Sequence, residues 1–130
     1  MTKPCIENNI VTFKNGIAYE MAWASEKYCY GIFGRVLLIL GHLEDNARNI
    51  WCFDQDGNKL WEIEPSIWDS PYHDLKVDDD GQVRAYDQKG DTYIVDLKTG
   101  YVEWVGGDRG GDAKGANEFI RRRRVARLQK

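Results

Sequence analysis

With 130 residues, 42% hydrophobic and 12% aromatic, the chain has the size of one domain with a real core and is too apolar to be disordered. Its longest wholly apolar run, Val36 to Leu40, falls far short of the roughly 20 residues that span a bilayer, and the opening residues carry no apolar signal region, so neither a membrane helix nor secretion is expected. The net charge of −3 hides an asymmetry: residues 113–130 hold seven basic side chains against Glu118 alone, and the remaining residues carry 11 basic and 20 acidic groups, an acidic body of −9 with a basic tail of +6.

Taken in order, Ile10–Lys14, Asn15-Gly16 and Ile17–Trp23 read as a hairpin closed by a type I′ turn, in which Ile17, Tyr19, Met21 and Trp23 share a core face. Tyr28–Phe33 is a further strand, interrupted by Gly31 and followed by Gly34. Arg35–Leu40 is apolar on both faces and is expected to be a central strand covered on both sides. A polar connection, residues 41–48, leads to Asn49-Ile-Trp-Cys-Phe-Asp54-Gln-Asp-Gly57-Asn-Lys-Leu-Trp61, which reads as strand, tight turn, strand. Pro65 ends that second strand, and an irregular loop carries Trp68. Residues 72–77, the turn Asp78-Asp79-Asp80-Gly81 and residues 82–87 form another hairpin. After the turn at 88–90, Asp91-Thr-Tyr-Ile-Val-Asp96-Leu-Lys-Thr-Gly100-Tyr-Val-Glu-Trp104 repeats the earlier pattern, Asp96 lying 42 positions after Asp54. About ten short strands with closely spaced turns give an all-β antiparallel meander over residues 1–105. Residues 106–115 hold five glycines and read as a linker. Residues 116–130 read as a short basic helix, with Asn117 as its cap and Phe119, Ile120, Val125 and Leu128 as a ragged apolar stripe.

The run Asp96, Thr99, Gly100, Trp104 resembles the blade motif of quinoprotein-type (pyrroloquinoline-quinone-type) β-propellers; Asp54, Gly57 and Trp61 match it with a turn one residue shorter. The resemblance implies propeller-blade-like sheets, with Trp61 and Trp104 packed between neighbouring blades and these seven residues as structural staples. Propellers close with about four to eight blades, and this chain supplies two with a degenerate third in 10–40. A partial propeller without a cofactor is therefore expected. The pattern around Trp51–Trp61 is also similar to small single-domain bacterial proteins, some of which are immunity proteins that block a toxin encoded beside them.

The chemistry-bearing residues are sparse. Asp78-Asp79-Asp80-Gly81 and Asp54–Gly57 fit solvated hairpin turns, since neither keeps the spacing of a calcium loop. His42 and His73 stand far apart with no ligand pair beside them, and Cys5, Cys29 and Cys52, odd in number and scattered, suit a reducing cytoplasm. No nucleophile, metal or cofactor motif is present, so the expectation is a non-enzymatic protein-binding domain, an immunity-type inhibitor of a basic toxin being the favoured form. Its contact residues would be drawn from Trp51, Trp68, Tyr86, Asp78, Asp79 and Asp80. The alternative is a nucleic-acid-associated protein that binds through Arg121, Arg122, Arg123, Arg124 and Arg127. Against it stands a plainer reading, in which the tail folds back on the acidic body or simply aids solubility. Open sheet edges at either end of the stack could pair with a second copy or be covered by the helix.

Overall fold

A computed structural model describes residues 3–21, 24–41, 46–107 and 112–129. Trp23, His42, Lys130 and the centre of the glycine-rich connection lie outside the described residues. Among the described residues the fold is all-β with a C-terminal α-helix, and three antiparallel sheets follow one another along the chain. The first holds β1 (Cys5–Glu7), β2 (Ile10–Thr12) and β3 (Ala18–Glu20); the second, β4 (Cys29–Ile32), β5 (Arg35–Ile39), β6 (Ile50–Phe53) and β7 (Lys59–Glu62). The third holds β8 (Tyr72–Val77), β9 (Val83–Asp87), β10 (Asp91–Val95) and β11 (Val102–Gly107), and α1 (Ala113–Leu128) follows. Each sheet is a meander in which sequential strands are neighbours. No described helix is long and apolar enough to cross a membrane.

The two-sided apolarity of residues 35–40 finds its explanation in the second sheet, which is buried on both faces. Leu37 and Ile39 with Ile50 and Cys52 face the third sheet, where Leu75, Val83, Ala85, Tyr93 and Val95 meet them. Val36, Leu38, Leu40 and Phe53 point the other way, onto Val11, Phe13 and Met21 of the first sheet. Period-2 alternation thus makes two separate cores from one strand. Burial pushes the Cys52 thiol up to about 12.

Consecutive sheets are joined by one repeated contact. The turn at Gly57 (φ +88°) sits on the first sheet, where a Cβ would come within 2.9 Å of the Phe13 ring, and Tyr19 donates to the Gly57 carbonyl at 2.6 Å. The turn at Gly100 (φ +77°) sits on Trp61 in the same way, and the Trp61 indole N–H donates to the Leu97 carbonyl at 2.9 Å. In each case a glycine in the left-handed region lets a turn lie flat on an aromatic ring of the preceding sheet.

Several local expectations need correction. Asn15-Gly16 is not a type I′ turn: only Gly16 takes a positive φ, and the pairs Gly16 N–H to Phe13 O and Phe13 N–H to Ile17 O define a three-residue loop with glycine in the left-handed position. The shared face of Ile17, Tyr19 and Met21 delivers only Met21 fully to the core, because Ile17 and Tyr19 lie at the rim beside the Gly57 turn. Strand β11 runs on to Gly107, so the glycine-rich run begins inside the sheet. The helix starts at Ala113 rather than 116, capped by Asp112, whose carboxylate accepts from the Gly115 N–H at 2.6 Å.

Gly100→Ala is expected to destabilise the fold by about 3 kcal/mol, combining left-handed strain with overpacking. Its added methyl would come within 2.5 Å of Trp61 Cε3. A urea midpoint like that of the parent would refute the seating of turn on ring.

Candidate functional site

Four hairpin turns share one chemical device. Asp54, Asp78 and Asp87 each precede Gly57, Gly81 and Gly90 by three residues, and each Oδ1 accepts the backbone N–H groups two and four residues on, all at 2.9–3.0 Å. Asp96, whose turn is one residue longer, accepts from Lys98 N–H at 2.9 Å. Asp78 and Asp87 thus join Asp54 and Asp96 as turn staples, a likeness masked in the sequence by the lack of a Trp after them. Hydrogen bonds from Asn58 hold the Asp54 carboxyl below its usual range. The Arg84 guanidinium, 2.9 Å away, does the same for Asp78. Asp79 and Asp80 stay exposed, so the acidic triplet is one turn staple and two solvent-facing carboxylates.

Beside that acidic turn lies a residue that composition and periodicity do not single out. Phe33 and Gly34 close the β4–β5 hairpin with φ of +46° and +78°, the two positive angles of a type I′ turn. Asparagine or aspartate is the usual first residue there, and a phenylalanine costs about 1–2 kcal/mol in that conformation. Phe33 is nonetheless 67% exposed, and its ring tip lies 3.9 Å from where a Cβ on Gly81 would be. The tips of the β4–β5 and β8–β9 hairpins therefore form one surface of Phe33, Asp79 and Asp80, with exposed Val77 at the base of the second hairpin. The sequence signal was an aromatic directly before a glycine between two strands.

The other aromatic candidates are dispersed. Trp51 is half-buried on β6; Lys59 Nζ lies 3.5 Å from its ring and its indole N–H donates to Arg48 O. Trp68 is 53% exposed in the loop after Pro65. Tyr86 is half-buried on β9, with Lys76 Nζ 5.5 Å from its ring. They sit on three separate elements. His73 is exposed at the bulge in β8.

The basic helix is bound to the body by a buried carboxylate on the segment after β7. Glu64 is 2% exposed. Its Oε1 accepts from Val102 N–H and from Arg124 Nη2, both at 2.7 Å, and its Oε2 accepts from Arg124 Nε at 2.6 Å and Arg127 Nη2 at 3.1 Å. This charge-assisted hydrogen bonding raises the Arg124 guanidinium further above its already high range. Arg123 donates to the Pro65 and Ser66 carbonyls and pairs with Asp69. Three of the five candidate nucleic-acid arginines are thus engaged within the chain, and Arg121 and Arg122 are exposed. Of the expected apolar stripe only Ile120 is buried. Asn117 is not the cap: its side chain accepts from Trp104 N–H at 2.7 Å and donates to Trp104 O at 3.1 Å.

The Asp54 and Asp78 staples set an acid limit. A carboxylate whose folded pKa is depressed contributes stability above its unfolded value of about 3.9, and that contribution is lost as pH falls through the folded value. Stability measured by urea is expected to hold down to about pH 4 and fall below it, and Asp78→Asn should flatten part of the fall. An unchanged acid limb in Asp78→Asn would contradict the assignment.

No curated protein and no solved structure matches the chain. Residues 3–106, from just before β1 into β11, match the family described as Domain of unknown function (DUF7957). The chain belongs to that family.

Proposed function

We propose that this chain is a non-enzymatic protein-binding domain that presents the paired tips of the β4–β5 and β8–β9 hairpins to a basic partner. Phe33 carries the reading: a large apolar side chain kept exposed, in a backbone conformation that disfavours it, beside two free carboxylates. Strain retained at an exposed aromatic gives the fold nothing, and such outliers cluster where a surface is used. An aromatic anchor rimmed by carboxylates suits a partner with an apolar pocket surrounded by lysine or arginine, and the −9 body would speed the approach of such a partner. The form we favour is an immunity-type inhibitor of a basic toxin, acting in the cytoplasm, where the thiols of Cys5, Cys29 and Cys52 would remain reduced.

The seating of Gly57 on Phe13 and of Gly100 on Trp61 supports a further reading, that the three sheets are blade-like units of a propeller-derived stack. In that account the stack is a rigid scaffold and its hairpin tips carry recognition. The arginine tail is the weaker candidate for a binding surface, since Arg123, Arg124 and Arg127 already have partners in the body.

Phe33→Asn separates binding from folding, because Asn-Gly is a favoured pair for this turn. The variant is expected to be about 1 kcal/mol more stable than the parent and to lose the partner that the parent captures from host lysate, expected to be the product of the neighbouring reading frame. Equal capture by both proteins, or no partner captured by the parent, would overturn the proposal.

A further inference from the structure

Helix α1 is turned inside out. At about 100° per residue, Ile120, Arg123, Arg124 and Arg127 share one side of it, and this side meets the body. Arg124 and Arg127 reach Glu64, and Arg123 reaches the Pro65 and Ser66 carbonyls and Asp69. Lys114, Arg121, Arg122, Val125 and Leu128 fall on the opposite side, and all five are exposed. An ordinary surface helix lays its apolar stripe on the core and gives its charges to water. Here three guanidinium groups face inward, and two large aliphatic side chains, Val125 at 53% and Leu128 at 62% exposure, face out. Phe119 lies at the margin between the two sides, 47% exposed, with Arg123 Cζ 5.0 Å from its ring.

The inward anchors decide which surface is offered. With Arg123, Arg124 and Arg127 held, the helix cannot roll to bury Val125 and Leu128 without giving up the Glu64 contacts. The outer side also has a consistent charge. Its exposed ionic groups are Lys114, Arg121 and Arg122, while Glu118, the one acid of residues 113–130, is half-buried. The family match ends at residue 106, so this surface stands outside the matching sheets.

We propose that the outer side of α1 is a peripheral docking surface for a membrane, and that its partner is a layer of anionic lipid headgroups. Lys114, Arg121 and Arg122 meet the phosphates, and Val125, Leu128 and the rim of Phe119 enter the boundary between headgroups and acyl chains. Such a layer uses both kinds of side chain at once. A nucleic acid uses the cations, but aliphatic side chains offer its bases no stacking platform. A second copy, pairing helix to helix about a two-fold axis, would set Arg121 and Arg122 against their own copies. Two aliphatic side chains are also too few to anchor a helix in a protein groove, which takes positions at i, i+3, i+4 and i+7. Acidic groups of the body farther than about 10 Å from the lipid are screened at 0.1 M salt.

The test is co-sedimentation of the full chain with vesicles of phosphatidylcholine alone and of phosphatidylcholine mixed with phosphatidylglycerol. Binding is expected to the mixed vesicles only, and to weaken as salt is raised. Arg121→Gln with Arg122→Gln should weaken it about twentyfold, and Val125→Ser with Leu128→Ser about tenfold. All four side chains project from the body, so circular dichroism of both variants should match the parent. Phe33→Asn should bind vesicles as the parent does, which separates this surface from the hairpin tips. A parent that ignores the mixed vesicles overturns the proposal, as does equal binding to neutral ones or binding indifferent to Val125→Ser with Leu128→Ser. Displacement of the chain from vesicles by a mixed-sequence RNA would assign the cations to nucleic acid instead. A parental mass that doubles with concentration and is restored by Val125→Ser with Leu128→Ser would assign the face to a second copy; either result overturns the proposal.

Discussion

A carboxylate removed from water must be met by donors, and the Glu64 side chain brings three parts of the chain to one point to satisfy that need. Placing the charge in the interior costs several kcal/mol, and four hydrogen bonds, three of them from guanidinium groups, offset that cost. The consequence is geometric more than energetic. The segment after β7, the edge of β11 and the last turns of α1 can be satisfied only when all three are in place. Apolar packing alone would not hold the helix, since Ile120 by itself contributes about 2–3 kcal/mol. A helix whose exposed side carries Phe119, Val125 and Leu128 is docked by its arginines.

The same logic of occupied edges and seated turns gives the body its rigidity. Two glycine turns rest on an aromatic of the preceding sheet, Gly57 on Phe13 and Gly100 on Trp61. Trp104 occupies in the third sheet the place that Trp61 has in the second, and there the series stops: α1 takes the place of a following turn, with Asn117 across the Trp104 backbone and the Trp104 indole N–H on Asp91 at 3.0 Å. The outer face of the third sheet carries Lys76, Arg84, Thr92 and Glu103 together with Tyr86 and Ile94. A stack terminated in this way leaves the tips of the β4–β5 and β8–β9 hairpins side by side.

How much of this was legible in the sequence divides along physical lines. Strand–turn–strand segments, the doubly covered strand of residues 35–40 and the stapling role of Asp54 and Asp96 follow from period-2 patterning and from Asp–Gly turn chemistry, both local properties. Glu64 was hidden because alternation from Trp61 and Ile63 places it outward. The chain leaves β7 at Glu62, so the alternation no longer applies at residue 64, whose N–H instead pairs with Gly100 O. Asn117 was misread because a side-chain amide that mimics a strand leaves no local pattern, and its partner Trp104 is 13 residues away. Phe33 was overlooked for a different reason. Turn preferences identify residues that fit, and Phe33 matters because it does not fit.

The central claim is that α1 is held by the ion pair between Glu64 and Arg124, and a double-mutant cycle measures it directly. Glu64→Gln, Arg124→Gln and the double variant would be compared with the parent by urea denaturation. Each single change should be costly and the double should cost little more than either, with a coupling of about 2 kcal/mol. Additivity within about 0.5 kcal/mol would show that the two groups do not depend on each other and that the ion pair does not hold the helix.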